Sequence, residues 1–533
     1  MLASAMLASY LLLNLSTLTQ CVPAMWRSSG HALSFYACLL VFTGMSFGLL
    51  LMALNRYVLT ALLALMVLIV TTNHLAAQVL HVNVVNDQTA EWLLSESSEA
   101  SDALDLYAGP FIRYLAISLA SFLPVVWIAR TARRKFAPRF RQLPLAVAAL
   151  LAYVSGTVVI HHYFDPFVPM ESNLILYSTE LALLPSPSIP SLDMQPVVKT
   201  GTDKIVLVVD ESVTYGSYVT QLRGPWARWQ AVDFGEAASL GNCSASSNSM
   251  LRWGFRADHM LAGEDPRLVP TVWSYARGAG YETYLIDGQK DGSYQDYMRG
   301  KEAALIDHYL GVSQGIDTDA AIAKQLRSLL REPGKRFIYV NKRGSHFPYT
   351  HAYPAERFPN ARTPEQQHAQ AVSYSSQNFL DIALADAALR NVLLIYTSDH
   401  GQRFDGGATH CNPVPHWQEL SVPLVVVTKN PLLNQRATAA ARILTDHASH
   451  AQIFPTLISA MGYDLQQAET EYGSSLLSAR IPQHYFYVRG NPFPGHKDRK
   501  TVIEFNDFPY RNADTRYAKE LPVSDTALVH QTR

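Results

Sequence analysis

Long apolar stretches dominate the first third of the chain, and short apolar runs alternating with amphipathic segments follow. A bilayer with about 30 Å of hydrocarbon takes about 20 helical residues to cross. Five stretches are long enough or nearly so, near residues 1–18, 32–54, 57–80, 111–129 and 143–160. The first lacks a basic n-region, which favours a span over a signal peptide. The pattern predicts a five-helix transmembrane domain over residues 1–163.

The distribution of basic residues predicts how these spans are oriented. Residues 57–112 contain no Lys or Arg, whereas a cluster lies between spans four and five: Arg130, Arg133, Arg134, Lys135, Arg139 and Arg141. The positive-inside rule puts this cluster in the cytoplasm and the acidic loop 81–109 outside. Everything after residue 163 is then outside. The outer loop, with Trp92 beside acids, reads equally as a membrane-surface segment or as a plain connecting helix.

The periodicity changes after the last predicted span. Pro185, Pro187, Pro190 and Pro196 indicate an irregular linker over residues 164–200. From Lys204 onward, apolar runs typical of buried strands occur at 205–209, 282–286, 337–340, 392–396 and 423–427, with helical segments at 320–330 and 369–389. This alternation predicts an α/β sandwich with a mainly parallel sheet over residues 201–533.

Composition excludes some classes of function. The chain has 533 residues and a net charge of -1, with no basic stripe in its soluble part. That argues against a nucleic-acid partner. Four cysteines are too few for a disulfide scaffold.

Candidate chemistry lies just after the predicted strands, where α/β sheets bind their ligands. Glu211, His346 and the Asp399-His400 pair each follow a strand by a few residues. Ser244 lies in GNCSASSN and is expected to open a helix, whose free N–H groups bind anions. Singly, Glu211, Ser244 and His346 read as caps, ion-pair partners or turn formers. The Asp399-His400 pair is the exception, since an apolar strand that ends in Ser-Asp-His-Gly has little structural purpose. Three independent segments that obey one geometric rule favour a common site.

The residue types indicate a hydroxyl nucleophile activated by a divalent metal. Glu211, Asp399 and His400 supply three ligands suited to zinc, and the oxygen of Ser244 or of a phosphate on it supplies the fourth. His346 and His410 would hold the transferred phosphoryl group, protonate the leaving alcohol or bind a second metal ion. These three roles stay open at the level of the sequence.

Five segments carry a resemblance to a known family: VVDES, GNCSASS, RGSHFP, TSDHG and THCNPVPHWQELSVP. With the predicted spans, outer loop and linker, they resemble the phosphoethanolamine transferases of Gram-negative inner membranes. That group belongs to the alkaline-phosphatase/sulfatase superfamily and includes lipid A-modifying enzymes that confer polymyxin resistance. The resemblance implies a multi-pass inner-membrane protein with its catalytic domain in the periplasm.

The resemblance also implies residue roles and a reaction. Glu211, Asp399 and His400 take the places of zinc ligands, and Ser244 that of the family's threonine nucleophile. His346 and His410 match histidines of the family's site. Family enzymes move phosphoethanolamine from phosphatidylethanolamine to the nucleophile, release diacylglycerol, and pass the group to lipid A, a core sugar or another glycan.

The chain departs from the family pattern at several positions. Asp210 replaces the glycine before the glutamate, and the soluble part has only two cysteines, Cys243 and Cys411. These adjoin Ser244 and His410, so a disulfide and two free thiols are both open readings. Lys290, in DGQKDGS, is a further candidate contact to phosphate or acceptor, against the ordinary reading of a solvated lysine.

Three alternative functions differ in testable ways. A sulfatase would need a proline and an arginine after its modified residue, but Cys243 is followed by Ala245 and Ser247. A phosphoglycerol transferase of the lipoteichoic-acid-synthase type shares the membrane part, the hydroxyl and the metal. A non-catalytic envelope scaffold would purify without zinc and tolerate Ser244→Ala.

Overall fold

A computed structural model describes most of the chain. The residues described are 2–28, 30–54, 56–79, 99–140, 143–164, 167–183, 189–197, 201–256, 269–289, 296–298, 300–312, 315–385, 391–405, 409–412, 416–482, 485–489, 492, 501–505, 508 and 519–522. They divide into two compact units, one mainly before Pro185 and the other mainly from Pro185 onward.

The first unit is helical: α1 Leu2–Leu13, α2 Leu15–Ser28, α3 Gly30–Ala53, α4 Arg56–Val79, α5 Glu99–Phe140, α6 Leu143–Phe164 and α7 Asn173–Leu183. Within the described residues, four segments are long and apolar enough to cross a membrane: Gly30–Ala53, Tyr57–Leu75, Ala108–Ile128 and Pro144–Phe164. They coincide with the second to fifth predicted spans.

The predicted first span differs from the structure. Residues 1–18 do not form one helix, because α1 ends at Leu13 and α2 begins at Leu15. With 12 and 14 residues and a rise of about 1.5 Å per residue, neither helix alone crosses about 30 Å of hydrocarbon. The predicted count of five spans is therefore not confirmed. Most of the outer loop, residues 81–98 with Trp92, lies outside the described residues.

The predicted irregular linker contains a helix, α7. Its sequence NLILYSTELAL has no proline or glycine, so nothing in it opposes helix formation. Just before it, buried Glu171 accepts hydrogen bonds from Asn14 Nδ2 (3.2 Å) and Tyr153 OH (3.1 Å). These contacts tie the segment before α7 to the helices of its own unit.

The second unit is built around an eight-stranded sheet: β1 Lys204–Asp210, β2 Val232–Ala238, β3 Glu282–Asp287, β4 His308–Gly311, β5 Arg336–Asn341, β6 Val392–Ser398, β7 Ser421–Thr428 and β8 Ala448–Ser449. The strand order is β4-β3-β5-β1-β6-β7-β2-β8. Strands β4, β3, β5, β1 and β6 run parallel, and β7 is antiparallel to both β6 and β2. The predicted α/β sandwich with a mainly parallel sheet is confirmed.

All five predicted strands are present, and three further strands of this sheet were not predicted. Strand β2 escaped prediction because Asp233, Gly235 and Glu236 interrupt its apolar run. Its pairing with β7 shifts register between Asp233 and Glu236. Strands β4 and β8 have only four and two residues, which is too few for a pattern of apolar and polar residues to be recognised. A second, smaller antiparallel sheet consists of β9 Tyr485–Arg489, β10 Thr501–Phe505 and β11 Lys519–Pro522.

Helices and short 3-10 turns connect the strands. The α-helices are α8 Tyr215–Gln221, α9 Arg223–Ala227, α10 Ser244–Arg252, α11 Val272–Gly278, α12 Gly300–Ala303, α13 Thr318–Arg331, α14 Pro364–Ala383, α15 Trp417–Leu420, α16 Pro431–Leu444, α17 Ile453–Met461 and α18 Leu465–Tyr472. The 3-10 turns are Tyr349–His351, Ala355–Arg357 and His450–Gln452. The predicted helix 320–330 is α13. The predicted helix 369–389 is α14, which begins earlier because Thr363 caps it and Pro364 occupies its first turn.

Both faces of the sheet are covered, which explains the unbroken apolar strands. In β1, Ile205 and Leu207 pack into the core that contains α11, α16 and α17. The alternate residues Val206 and Val208 pack into the core that contains α13 and α14. Successive side chains of a strand point to opposite faces, so a strand between two cores is apolar at every position.

Candidate metal centre

The candidate ligands lie at the carboxyl ends of two neighbouring parallel strands. Strands β1 and β6 pair in parallel, with Asp210 opposite Ser398, so the next residues, Glu211 and Asp399, are also neighbours. One ligand atom from each of Glu211, Asp399 and His400 lies within 4.8 Å of the others. His400 Nε2 is 3.4 Å from Asp399 Oδ2 and 3.9 Å from Glu211 Oε1. We call these three residues the ligand group.

One residue, Ser212, braces two members of the ligand group. Its backbone N–H donates to Asp399 Oδ1 (2.9 Å), and its hydroxyl donates to Glu211 Oε1 (2.6 Å). Ser212 adopts a left-handed backbone conformation with φ 61°, which is costly for a residue with a side chain. The surrounding contacts maintain this conformation, including the donation from His368 Nε2 to the Ser212 carbonyl (2.9 Å). The ligand positions are thus set by backbone geometry as well as by side chains.

The donor atoms fit a small divalent cation. Asp399 is fully buried, yet its Oδ2 has no hydrogen-bond partner among the residues that the structure describes. An orphaned buried carboxylate oxygen is costly, and a cation beside it would remove that cost. Burial and the neighbouring Asp399 raise the pKa of Glu211, which a bound cation would oppose. Two carboxylates and an imidazole form the nitrogen and oxygen set that suits zinc.

Ser244 lies beside the ligand group. It is the first residue of α10, and Cys243 in extended conformation precedes it. Ser244 Oγ lies 3.3 Å from Glu211 Oε2 and 3.2 Å from His400 Nε2. On the same helix, the Ser247 hydroxyl donates to the Asp399 carbonyl (2.6 Å), which fixes α10 against the ligand loop. The hydroxyl therefore lies where a metal-bound nucleophile would be needed, next to the free N–H groups of a helix start.

Of the two remaining candidate histidines, His410 packs directly on the ligand group. Its ring stacks on that of His400, with centroids 4.5 Å apart. Partial burial, together with His400 and His346, lowers the pKa of His410 well below its usual value. His346 is half-buried, and its Nδ1 lies 2.7 Å from the Phe347 carbonyl. We call His346 and His410 the histidine pair. Lys290 lies outside the described residues, so its predicted role remains untested.

A disulfide joins the loops that carry Ser244 and His410. Cys243 and Cys411 are bonded, with their Cα atoms 5.0 Å apart and a sequence separation of 168. The sequence left the disulfide and two free thiols open, and the structure contains the disulfide. The Cys411 N–H also donates to the Asn242 carbonyl (2.8 Å). The loop that carries Ser244 and the loop that carries His410 are thus linked covalently and by hydrogen bonding.

A short loop around α15 supports the same region. Glu419 is fully buried and accepts hydrogen bonds from Asn242 Nδ2 (2.9 Å) and Asn412 Nδ2 (2.8 Å). The Gly401 N–H donates to the Glu419 carbonyl (2.8 Å), and a Cβ at Gly401 would collide with the Gln418 carbonyl. The loop thus packs tightly against the residue that follows His400.

Sequence reasoning missed a buried charged cluster behind Glu211. Asp210 Oδ1 accepts the Glu211 N–H (3.0 Å), and its Oδ2 accepts from Lys342 Nζ (2.6 Å), Ser376 Oγ (2.9 Å) and Tyr396 OH (2.9 Å). Asp210 is the residue that departs from the family's glycine, and here it has a structural partner in a fully buried lysine. Sequence gave no signal for this pairing, because 132 residues separate Asp210 and Lys342.

Comparison with known proteins agrees with this arrangement. Residues 205–463 match a family model described as Sulfatase. This part of the chain is therefore similar to the sulfatase family, which agrees with the predicted sulfatase-like enzyme. The matched residues include every described candidate of the site. No curated protein matches the chain in sequence.

One solved structure extends the comparison to the helical part. The integral membrane protein lipooligosaccharide phosphoethanolamine transferase A (EptA) from Neisseria meningitidis matches with a TM-score of 0.57 and 15% identity. That match covers 90% of this chain and 98% of EptA. The periplasmic domain of EptC from Escherichia coli, in complex with Zn, has a TM-score of 0.49 and 16% identity, over 62% of this chain and 99% of that one. The EptA match confirms the predicted fold class.

Proposed function

We propose that this protein transfers phosphoethanolamine from phosphatidylethanolamine to a lipopolysaccharide or other envelope-glycan acceptor, through a covalent intermediate on Ser244. One observation carries the proposal. The Ser244 hydroxyl lies within 3.3 Å of two members of a buried ligand group, at the start of a helix in a domain similar to the sulfatase family. The likeness in fold to a lipooligosaccharide phosphoethanolamine transferase supports the choice of transferred group.

In this proposal Glu211, Asp399 and His400 would hold zinc, with the Ser244 hydroxyl beside them as the group to be activated. Zinc bound there would polarise a phosphoryl oxygen and lower the pKa of a coordinated hydroxyl. The N–H groups at the start of α10 face the anionic phosphate. The half-buried histidine pair would hold the phosphoryl group or carry the proton between the reacting oxygens. A second ion bound by the histidine pair stays an alternative.

The reaction would proceed in two steps, transfer to Ser244 and then transfer to the acceptor. First, a bond forms between Ser244 Oγ and phosphorus while the bond from phosphorus to the diacylglycerol oxygen breaks. The proton lost by the Ser244 hydroxyl ends on the diacylglycerol hydroxyl that leaves. Second, an acceptor hydroxyl attacks the phosphorus, the bond to Ser244 Oγ breaks, and the acceptor's proton returns to Ser244.

The proposal also assigns a compartment. The segment with Arg130, Arg134 and Arg141 lies between the third and fourth candidate membrane helices. Under the positive-inside rule this segment is cytoplasmic, so the chain after Phe164 emerges on the opposite side whatever the arrangement of α1 and α2. For a Gram-negative inner membrane that side is the periplasm, where lipopolysaccharide precursors are exposed and disulfides persist.

Mass spectrometry of the trapped intermediate tests the proposal. The purified full chain is incubated with zinc and phosphatidylethanolamine vesicles, and we expect a 2-aminoethylphosphate adduct on the peptide that contains Ser244. Ser244→Ala should carry no adduct and should transfer nothing, while melting normally. An adduct on another residue would reassign the nucleophile. A glycerol phosphate adduct from phosphatidylglycerol vesicles would instead favour the phosphoglycerol transferase.

A further inference from the structure

Glu211 has a buried amide beside it that comes from a third strand. Gln289, 6% exposed, donates from Nε2 to Glu211 Oε2 (2.8 Å) and to the Lys342 carbonyl (3.0 Å). The Lys342 carbonyl oxygen can only accept, so the NH₂ end of the amide must face it. Gln289 thereby joins the loop after β3 to the loops after β1 and β5.

Sheet topology explains how this glutamine reaches the site. Strands β3, β5 and β1 are parallel neighbours, so their carboxyl ends open onto one edge. The Gly288 N–H donates to the Asn341 carbonyl (2.8 Å), and Asp287 Oδ1 accepts the Gln289 N–H (3.0 Å). A Cβ at Gly288 would lie only 3.0 Å from the Arg343 backbone nitrogen. This close backbone approach brings the Gln289 side chain to Glu211.

Gln289 and Ser212 hold the Glu211 carboxylate from both sides. The Ser212 hydroxyl donates to Oε1 at 2.6 Å, and Gln289 donates to Oε2, the oxygen that also lies 3.3 Å from Ser244 Oγ. The terminal torsion of a glutamate is intrinsically broad, so two donors are needed to fix the carboxylate plane. Both N–H bonds of the Gln289 amide point at protein oxygens, which argues against a role in binding the transferred phosphoryl group.

We infer that Gln289 is a positioning residue, which orients the Glu211 carboxylate as a metal ligand toward Ser244. The inference rests on the proposed metal site and adds to it a hydrogen-bond partner that no sequence motif marks. Groups of this kind around a metal ligand typically change metal affinity or activity by about 10- to 100-fold when they are removed.

Zinc binding by the purified full chain provides the test. Gln289→Met keeps the length of the side chain and removes the amide. We expect the zinc dissociation constant, measured by competition with a chromogenic chelator, to rise by roughly 10- to 100-fold. The transfer rate should fall most at limiting zinc and recover partly as zinc is raised, because the lost hydrogen bond is to the metal ligand Glu211.

Gln452→Met is the matched control. Gln452 is also buried, at 1% exposure, and its Nε2 donates to Ser474 Oγ (3.3 Å) and the Arg480 carbonyl (3.3 Å) rather than to a candidate ligand. Its zinc affinity should equal the parent's. If Gln289→Met fails to fold, Gln289→Asn retains the amide one methylene too short to reach both acceptors, and should bind zinc more weakly than the parent.

The outcomes separate the two proposals. A parent that binds zinc tightly, with a Gln289→Met variant that binds it equally well, would overturn the role of Gln289 alone. If Glu211→Gln binds zinc as tightly as the parent, Glu211 is not a metal ligand. The proposed metal site and the positioning role of Gln289 would then both be contradicted.

Discussion

The ligand group and the histidine pair differ in burial and in position. Every member of the ligand group is at most 2% exposed and lies on a loop directly after β1 or β6. The histidine pair is half-buried, on loops farther from any strand end. Glu211 and Asp399 share Ser212 as a common hydrogen-bond donor. His410 contacts the ligand group mainly through ring stacking on His400. In the proposed reaction the fully buried ligand group would hold the metal ion, and the more exposed histidine pair would contact the transferred group.

The sharpest test of this comparison removes one anionic ligand. In Glu211→Gln we expect the purified protein to lose most of its zinc and the transfer rate to fall by roughly 1000-fold. The bound metal is expected to supply several kcal/mol of transition-state stabilisation, and each 1.36 kcal/mol is tenfold in rate. Elemental analysis and a lipid-transfer assay measure the two effects.

Glu236→Gln is the control for that variant. Glu236 is also buried, at 3% exposure, but it lies in β2 and accepts a hydrogen bond from Ser421 Oγ (2.5 Å). Its zinc content should equal the parent's. Full zinc occupancy in Glu211→Gln would contradict the assignment of the ligand group.

Substitution in the histidine pair should lower the transfer rate without any loss of zinc. We expect His410→Gln to lower the transfer rate by roughly 100-fold, the lower end of the range for a lost acid-base group, with zinc content unchanged. His346→Gln should behave similarly. Loss of about half the bound zinc in both variants would instead make the pair ligands of a second ion.

The disulfide joins the loop that carries Ser244 to the loop that carries His410, so its removal should weaken the alignment of these two residues without emptying the metal site. In the double variant Cys243→Ser, Cys411→Ser we expect a transfer rate lower by about tenfold, since small misplacements of reacting groups are costly. The free energy of unfolding should fall by about 3 kcal/mol. Cys38→Ser, which removes an exposed free thiol, should change neither quantity. An unchanged rate in the double variant would show that hydrogen bonds alone align the loops.

The smallest expected effect concerns pH. Burial lowers the pKa of His368 to about 4, and its ring faces Ser212, Ser345, Ser217 and two aromatic rings rather than any charged group. Between about pH 6.5 and about pH 4, His368 is therefore protonated in the unfolded chain but neutral in the folded protein. Stability should be lost as pH falls from about 6.5 to about 4, by about 3 kcal/mol from this residue.

Thermal melting of the zinc-free protein measures that loss. His368→Asn should show a shallower fall in melting temperature over this pH range than the parent. The raised pKa of Glu211 contributes in the opposite direction in both proteins, so it cancels in the comparison. Parallel pH profiles for the two proteins would contradict the buried neutral state of His368.

Sequence pattern was most informative where one physical rule dominated. The runs 205–209 and 392–396 are apolar at every position because two cores cover them, and this made Glu211 and Asp399 recognisable as the residues after buried strands. Gln289 follows β3 by the same rule, but a lone glutamine suggests no chemistry by itself. The sequence could not distinguish a disulfide from two free thiols, because a separation of 168 residues does not tell how far apart Cys243 and Cys411 lie in the fold. The first predicted span is not confirmed, because hydropathy does not detect the break between α1 and α2 at Asn14.

The glycine of the Ser-Asp-His-Gly segment has a consequence for how this protein can vary. Any side chain at position 401 would push against the Gln418 carbonyl, and that loop supplies Glu419, which holds Asn242 two residues from Ser244. An added methyl group would have to displace the loop around α15, which supports the Ser244 loop through Glu419. Position 401 therefore has no room for any residue but glycine.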